Sequence, residues 1–187
     1  MLEDLSAHVL DIAENSVRAG GTEVSVTIVE SVARNILSFA IKDNGKGMTE
    51  EFAAKVTDPF TTTRTTRRVG MGLPFLKQIS ELCGGGLEIR TKVGVGTETK
   101  ATFCYDSIDR PPMGDMPMTV MTLVAGSPEI HWIYSHTTDS GEFRLDTDEI
   151  IEALDGDREL LRTADVGIWL REHVGEGLAE IGAGGAS

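Results

Sequence analysis

The chain has 187 residues, 40% hydrophobic and 25% charged, with a formal net charge of −13, which suits one substantial soluble domain or two small ones. No apolar run approaches the roughly 20 residues needed to span a bilayer, and no secretory leader precedes the first helical pattern, so a cytoplasmic protein without membrane contact is expected. Residues 1–105 hold 13 acids and 12 bases, whereas residues 106–187 hold 17 acids and 5 arginines; this places a boundary near 106 and argues against nucleic acid as a partner, because its phosphates would be repelled.

Leu2, Leu5, Val9, Ile12, Ala13 and Val17 recur at steps of three and four, the stripe of a helix that Gly20 and Gly21 end. "TEVSVTIVE" alternates with period two and "ILSFAIKD" follows, two strands of a hairpin. Thr49 caps a short helix with Glu50 and Glu51 in its first turn, favourable against the helix dipole. "DPFTTTRTTRRVGMG" has no period and reads as a loop, after which Pro74 opens a helix striped by Leu76, Ile79 and Leu82 and stopped by Gly84 to Gly86. "LEIRTK" and "TETKATFCY" then form a second hairpin across "VGVG". The first half is thus an α+β sandwich, a sheet with its helices on one face.

Residues 107–117, rich in proline, glycine and methionine, read as a linker. Beyond it "TVMTLVAG", "EIHWIYSH" and "EFRLD" suggest a small three-stranded meander, followed by two helices. The first of these is capped at Asp146 or Thr147 and the second is striped by Val166, Trp169, Leu170, Val174 and Leu178, although Gly167, Gly175 and Gly177 weaken it. The "GAGGAS" end is expected to be disordered. The expected organisation is therefore 1–106, a linker at 107–117, and a small acidic domain at 118–187. Cys83 and Cys104 lie in apolar surroundings without metal-ligand spacing and read as buried free thiols.

Several stretches carry chemistry. "DNGKGM" is either a hairpin turn or, with a capped helix after it, a bare backbone that a flat group approaches closely beside the Asp43 carboxylate. Gly70 and Gly72 open a helix whose free N–H groups suit an anion, with Arg64, Arg67 and Arg68 upstream; an ordinary glycine-rich loop fits the same residues. On the first helix Asp11 and Asn15 lie one turn apart. The pair suits a solvent face, or else an amide oxygen that ligates Mg²⁺ beside a carboxylate that handles a nearby water. Arg18 extends that face towards a phosphate.

In this order the stretches resemble the superfamily of histidine kinase-like ATPases, the GHKL class with its Bergerat-type ATP-binding fold, over about residues 5–105. "DIAENSVRAGG" is similar to its N box, "DNGKGM" to its first glycine box, "DPFTTT" to its F box, "GMGL" to its second glycine box and "GVGTE" to its third. The resemblance implies ATP and Mg²⁺ as cofactors. It implies Asn15 as metal ligand, Asp43 as acceptor from the adenine amino group, and Gly45, Gly47 and Met48 around the base. It also implies Gly70, Gly72 and Leu73 at the phosphates, Thr97 in the adenine region, and Phe60 at the start of a lid.

Where hydrolysing members have glutamate and sensor kinases commonly have asparagine, this chain has Asp11, the candidate catalytic base but one methylene shorter than glutamate. His8 sits inside the N-box helix, and His131, His136 and His173 lack an acidic sequence neighbour of the phosphoacceptor type, so histidine autophosphorylation is not expected. The leading expectation is a signalling protein kinase that transfers a phosphoryl group from Mg-ATP to a protein partner in trans. An ATP-gated protein-binding module and a slow ATPase are the alternatives, and a homodimer is compatible with each.

Overall fold

The computed structural model describes residues 4–58 and 72–185. Leu2, Phe60, Arg64, Arg67, Arg68 and Gly70 lie outside the described residues.

The apolar stripe of the first segment forms α1 (Leu5–Arg18), and the Asp4 side chain caps it by accepting from the Ala7 N–H at 2.8 Å. Alternation produces β1 (Glu23–Ser31) and β2 (Ile36–Asp43), antiparallel with Val24 opposite Asp43. Thr49 caps α2 (Glu50–Lys55), and α3 (Gly72–Leu82) begins two residues ahead of Pro74. The second hairpin is β3 (Gly86–Lys92) and β4 (Gly96–Cys104), with β4 lying against β2 so that Thr97 stands opposite Asp43.

The second half departs from expectation. "TVMTLVAG" is no strand; it lies in helix α4 (Met116–Gly126), whose N-cap Asp115 accepts from the Met118 N–H at 2.8 Å. It packs against α1 and α6 (Ala164–Glu180), and its solvent-facing line carries Met118, Thr122 and Gly126 in place of charged residues, which leaves no charged face to betray a helix. The strands β5 (His131–Thr137) and β6 (Glu142–Asp146) form as expected but build no meander of their own. Instead β5 runs parallel to β1, Trp132 opposite Val24, giving a single sheet of order β3-β4-β2-β1-β5-β6. The change in charge near 106 is therefore not matched by a break in the sheet.

Val24, Val26 and Ile28 of β1, Phe39 of β2, Phe103 of β4 and Trp132 and Tyr134 of β5 all join one buried cluster with α1, α4 and α6. Full burial of each large side chain contributes roughly 1.5–3 kcal/mol, so strands from both halves share one source of stability. The segment read as a linker is fastened too. Pro112 and Met113 carbonyls accept from the Leu5 and Ser6 N–H groups at 2.9 and 2.8 Å, satisfying donors in the first turn of α1.

After α5 (Thr147–Ala153), capped by Asp146, a 3₁₀ turn at Arg158–Arg162 leads into α6. Leu170, Val174 and Leu178 are buried as the stripe predicts, but Trp169 lies outside the stripe, exposed and stacked on His173 at 4.9 Å. Gly177 sits where any side chain would collide with the Phe143 ring, so this glycine permits the packing of α6 on β6. The segment expected to be disordered is fastened at Gly184: its N–H donates to Glu30 Oε1 at 2.8 Å, and that oxygen also meets His136 Nε2 at 2.7 Å in a buried pair. Both cysteines are free thiols, Cys83 buried and Cys104 half-buried.

Candidate functional site

Asp43 is the last residue of β2 and only 6% exposed. Such a carboxylate is costly unless its oxygens are satisfied, and two fixed donors meet it. The Ser16 hydroxyl of α1 donates to Oδ2 at 2.7 Å and the Gly45 N–H donates to Oδ1 at 2.9 Å. An ionised carboxylate has about four lone-pair positions, so the two donors fix its plane and leave acceptor capacity for a third group. Thr97, paired with Asp43 across β2 and β4, shares its face of the sheet, and its hydroxyl meets that of Thr91 at 2.9 Å. Thr91 in turn accepts from the Met48 N–H at 2.8 Å, tying the "DNGKGM" segment to the second hairpin.

The glycines here serve close backbone contact. A Cβ on Gly45 would lie 2.8 Å from the Ala19 carbonyl and 3.0 Å from Asp43 Oδ1. Gly47, at φ +66°, has the Lys92 carbonyl where its side chain would stand, and Gly96, at φ +134°, has the Asp43 carbonyl. The bare surfaces of Gly45 and Gly47 are thus occupied first by the protein's own backbone. Asn44 secures the same corner by accepting from the Thr22 and Glu23 N–H groups at 2.8 and 3.0 Å.

Asn15 precedes Ser16 on α1. Its Oδ1 accepts from Arg18 Nη1 at 3.0 Å, and Arg18 Nη2 pairs with Glu14 at 2.9 Å. The amide oxygen is thus occupied by the Arg18 guanidinium, which would have to give way before Asn15 Oδ1 could ligate a metal ion. One turn earlier Asp11 meets the start of α3: a Cβ on Gly72 would come within 2.5 Å of Asp11 Oδ2. Its half-buried carboxyl is pushed above the usual aspartate range, chiefly by burial and against the pull of Arg18. Leu73 follows Gly72 in the first turn of α3 and packs on the core. His8 is buried and stacked on Phe75 at 5.9 Å; burial pushes its pKa down to about 4, and its Nε2 has no hydrogen-bond partner among the described residues.

The fold thus gathers Asn15, Arg18, Asp43, Gly45, Gly47, Met48 and Thr97 around the C-terminal end of α1, and brings Asp11 to Gly72. Ser16 and Thr91 were not anticipated from the sequence. The signal for Ser16 was a small hydroxyl residue next to Asn15 on the inward side of the helix. A cavity of about 290 Å³ lies to one side, between Glu14, Val17 and Arg18 of α1 and Thr122, Leu123, Gly126 and Ser127 at the end of α4; it does not include Asp43.

Residues 3–107 match the family described as histidine kinase-, DNA gyrase B- and HSP90-like ATPases. The chain belongs to that family, and these residues are an ATP-binding domain of the histidine kinase-like class. It is 34% identical over 82 residues to the sensor protein SrrB of Staphylococcus aureus, 41% of this chain and 14% of that protein. It is 28% identical over 93 residues to the sensor histidine kinase YvrG of Bacillus subtilis, 48% of this chain and 16% of that protein. The chain therefore spans only a small part of the length of these relatives. The N-terminal domain of a DNA repair protein has the same fold with a TM-score of 0.50 at 15% identity, over 84% of this chain and 58% of that one. Among the described residues no helix is long and apolar enough to cross a membrane.

Proposed function

We propose that this chain binds Mg-ATP at the seam of α1, β2 and the second hairpin, and that it is a cytoplasmic signalling kinase transferring the γ-phosphoryl group to a separate protein. The observation that carries the nucleotide assignment is the buried Asp43 carboxylate, held by Ser16 and Gly45 with acceptor capacity to spare. In this reading Asp43 receives the adenine amino group, with Thr97 and Met48 beside the base. Asn15 and Arg18 face the phosphates, together with Gly72 and Leu73 at the head of α3, and the Gly70 that the resemblance assigns to the phosphates lies outside the described residues. A Mg²⁺ ion held by Asn15 Oδ1 would supply neutralisation of the phosphate charge. Asp11, whose pKa its burial raises, is suited to accept a proton near the reacting end.

Incubation of the protein with γ-labelled ATP, Mg²⁺ and candidate protein partners tests the reading, with free phosphate and protein-bound label followed together. Label on a partner is the expected result. Bound nucleotide with neither label nor free phosphate would replace the kinase by an ATP-gated binding module, and free phosphate alone would replace it by a slow ATPase.

A further inference from the structure

Ser16 makes the buried bond between the helix carrying Asn15 and the strand carrying Asp43. It is 5% exposed, its hydroxyl lies 2.7 Å from Asp43 Oδ2, and the contact spans 27 residues of sequence. The other carboxylate oxygen is held from a different direction by the Gly45 N–H at 2.9 Å. The surrounding backbone cannot give way easily. A Cβ on Gly21 would lie 3.0 Å from the Ser16 carbonyl and 3.4 Å from Asp43 Cβ, while the Asp43 carbonyl fills the space beside Gly96. With one donor on each oxygen the carboxylate cannot swing about its Cβ–Cγ bond without breaking a buried bond.

We propose that Ser16 is a positioning residue that sets the nucleobase selectivity of the site by fixing the plane of the Asp43 carboxylate. This rests on the reading that Asp43 receives the base. A fixed acceptor favours a purine that presents an exocyclic amino donor, and opposes one that presents a carbonyl oxygen at the same place, because two acceptors then face each other without a proton. A carboxylate free to rotate loses part of that discrimination. The hydroxyl thereby links base recognition to α1, the helix that carries Asn15.

The test compares ATP and GTP dissociation constants for the unmodified protein, Ser16→Ala, Ser16→Thr and Asp43→Asn. Hydrogen bonds to charged groups are strong enough that Ser16→Ala should weaken ATP binding by about tenfold. GTP binding should change much less, so that the ratio of the two constants narrows. Ser16→Thr, which keeps the hydroxyl, should restore the ratio; a merely structural defect would weaken both nucleotides together. An unchanged ratio in Ser16→Ala, with Asp43→Asn still impairing ATP, would overturn the role of Ser16 alone. Unimpaired ATP binding by Asp43→Asn would instead overturn the adenine assignment on which it rests.

Discussion

Gly72 and Asp11 face each other across the α1–α3 contact so closely that a Cβ on residue 72 would stand 2.5 Å from Asp11 Oδ2. A carboxylate beside the head of an eleven-residue helix is favoured by the helix dipole, but burial outweighs this and the pull of Arg18 and raises its pKa. Gly72→Ala forces the end of a flexible side chain to turn away, which should cost less than about 1 kcal/mol of stability. Phosphate transfer or release should fall with it. Thermal melting beside single-turnover kinetics checks both halves, and Gly72→Ala should add little to the loss already caused by Asp11→Asn.

Asp11→Asn removes a carboxyl whose charged form the fold disfavours. Because the folded pKa is raised, the ionised group opposes folding once pH exceeds the ordinary aspartate range. The variant should therefore be no less stable than the parent at neutral pH, while its turnover drops steeply and its nucleotide affinity changes little. Unaltered turnover would remove Asp11 from the chemistry.

His8 provides a pH signature of the α1–α3 packing. Its folded pKa of about 4 lies below its ordinary value of 6.5, so the stabilising contribution of the neutral ring is complete above 6.5 and is lost as pH falls towards 4. The loss is on the order of 2–3 kcal/mol. His8→Phe preserves an aromatic ring against Phe75 and has no proton to gain, so its denaturation midpoint should vary less between pH 7 and pH 4. An identical pH dependence in the variant would contradict the assignment.

The second half should prove inseparable from the first. A fragment ending at residue 106 would leave the β5 side of β1 unpaired and uncover the core that α1 shares with α4, and it is expected not to fold cooperatively. Within the intact chain, Gly177→Ala drives a methyl group into the Phe143 ring and should cost about 1–3 kcal/mol. Chemical denaturation measures both.

The elements that carry their own local signal were legible. The stripe of α1, the alternation of β1 and β2, the Thr49 cap and both hairpins stand where periodicity and turn residues placed them. What failed was decided by distant contacts. Residues 116–126 form a helix that packs on α1 and α6 and has only Met118, Thr122 and Gly126 on its exposed line, and the place of β5 beside β1 depends on a pairing more than a hundred residues apart. The expected disorder at the chain end ignored the buried Glu30, which accepts from the Gly184 N–H. At the site, Asp43 and Asn15 were singled out by residue type, but only the packing of α1 on β2 reveals Ser16 as a donor to Asp43. The glycines of "DNGKGM" were read as allowing close approach by a flat group, whereas the groups that fill the space of their missing side chains are the Ala19 and Lys92 carbonyls.

The most direct measurement is calorimetric titration of ATP, with and without Mg²⁺, into the unmodified protein and into Asp43→Asn. The account predicts saturable binding that Mg²⁺ strengthens in the parent, and at least about tenfold weaker binding in the variant. Equal ATP affinity in the two proteins would contradict it.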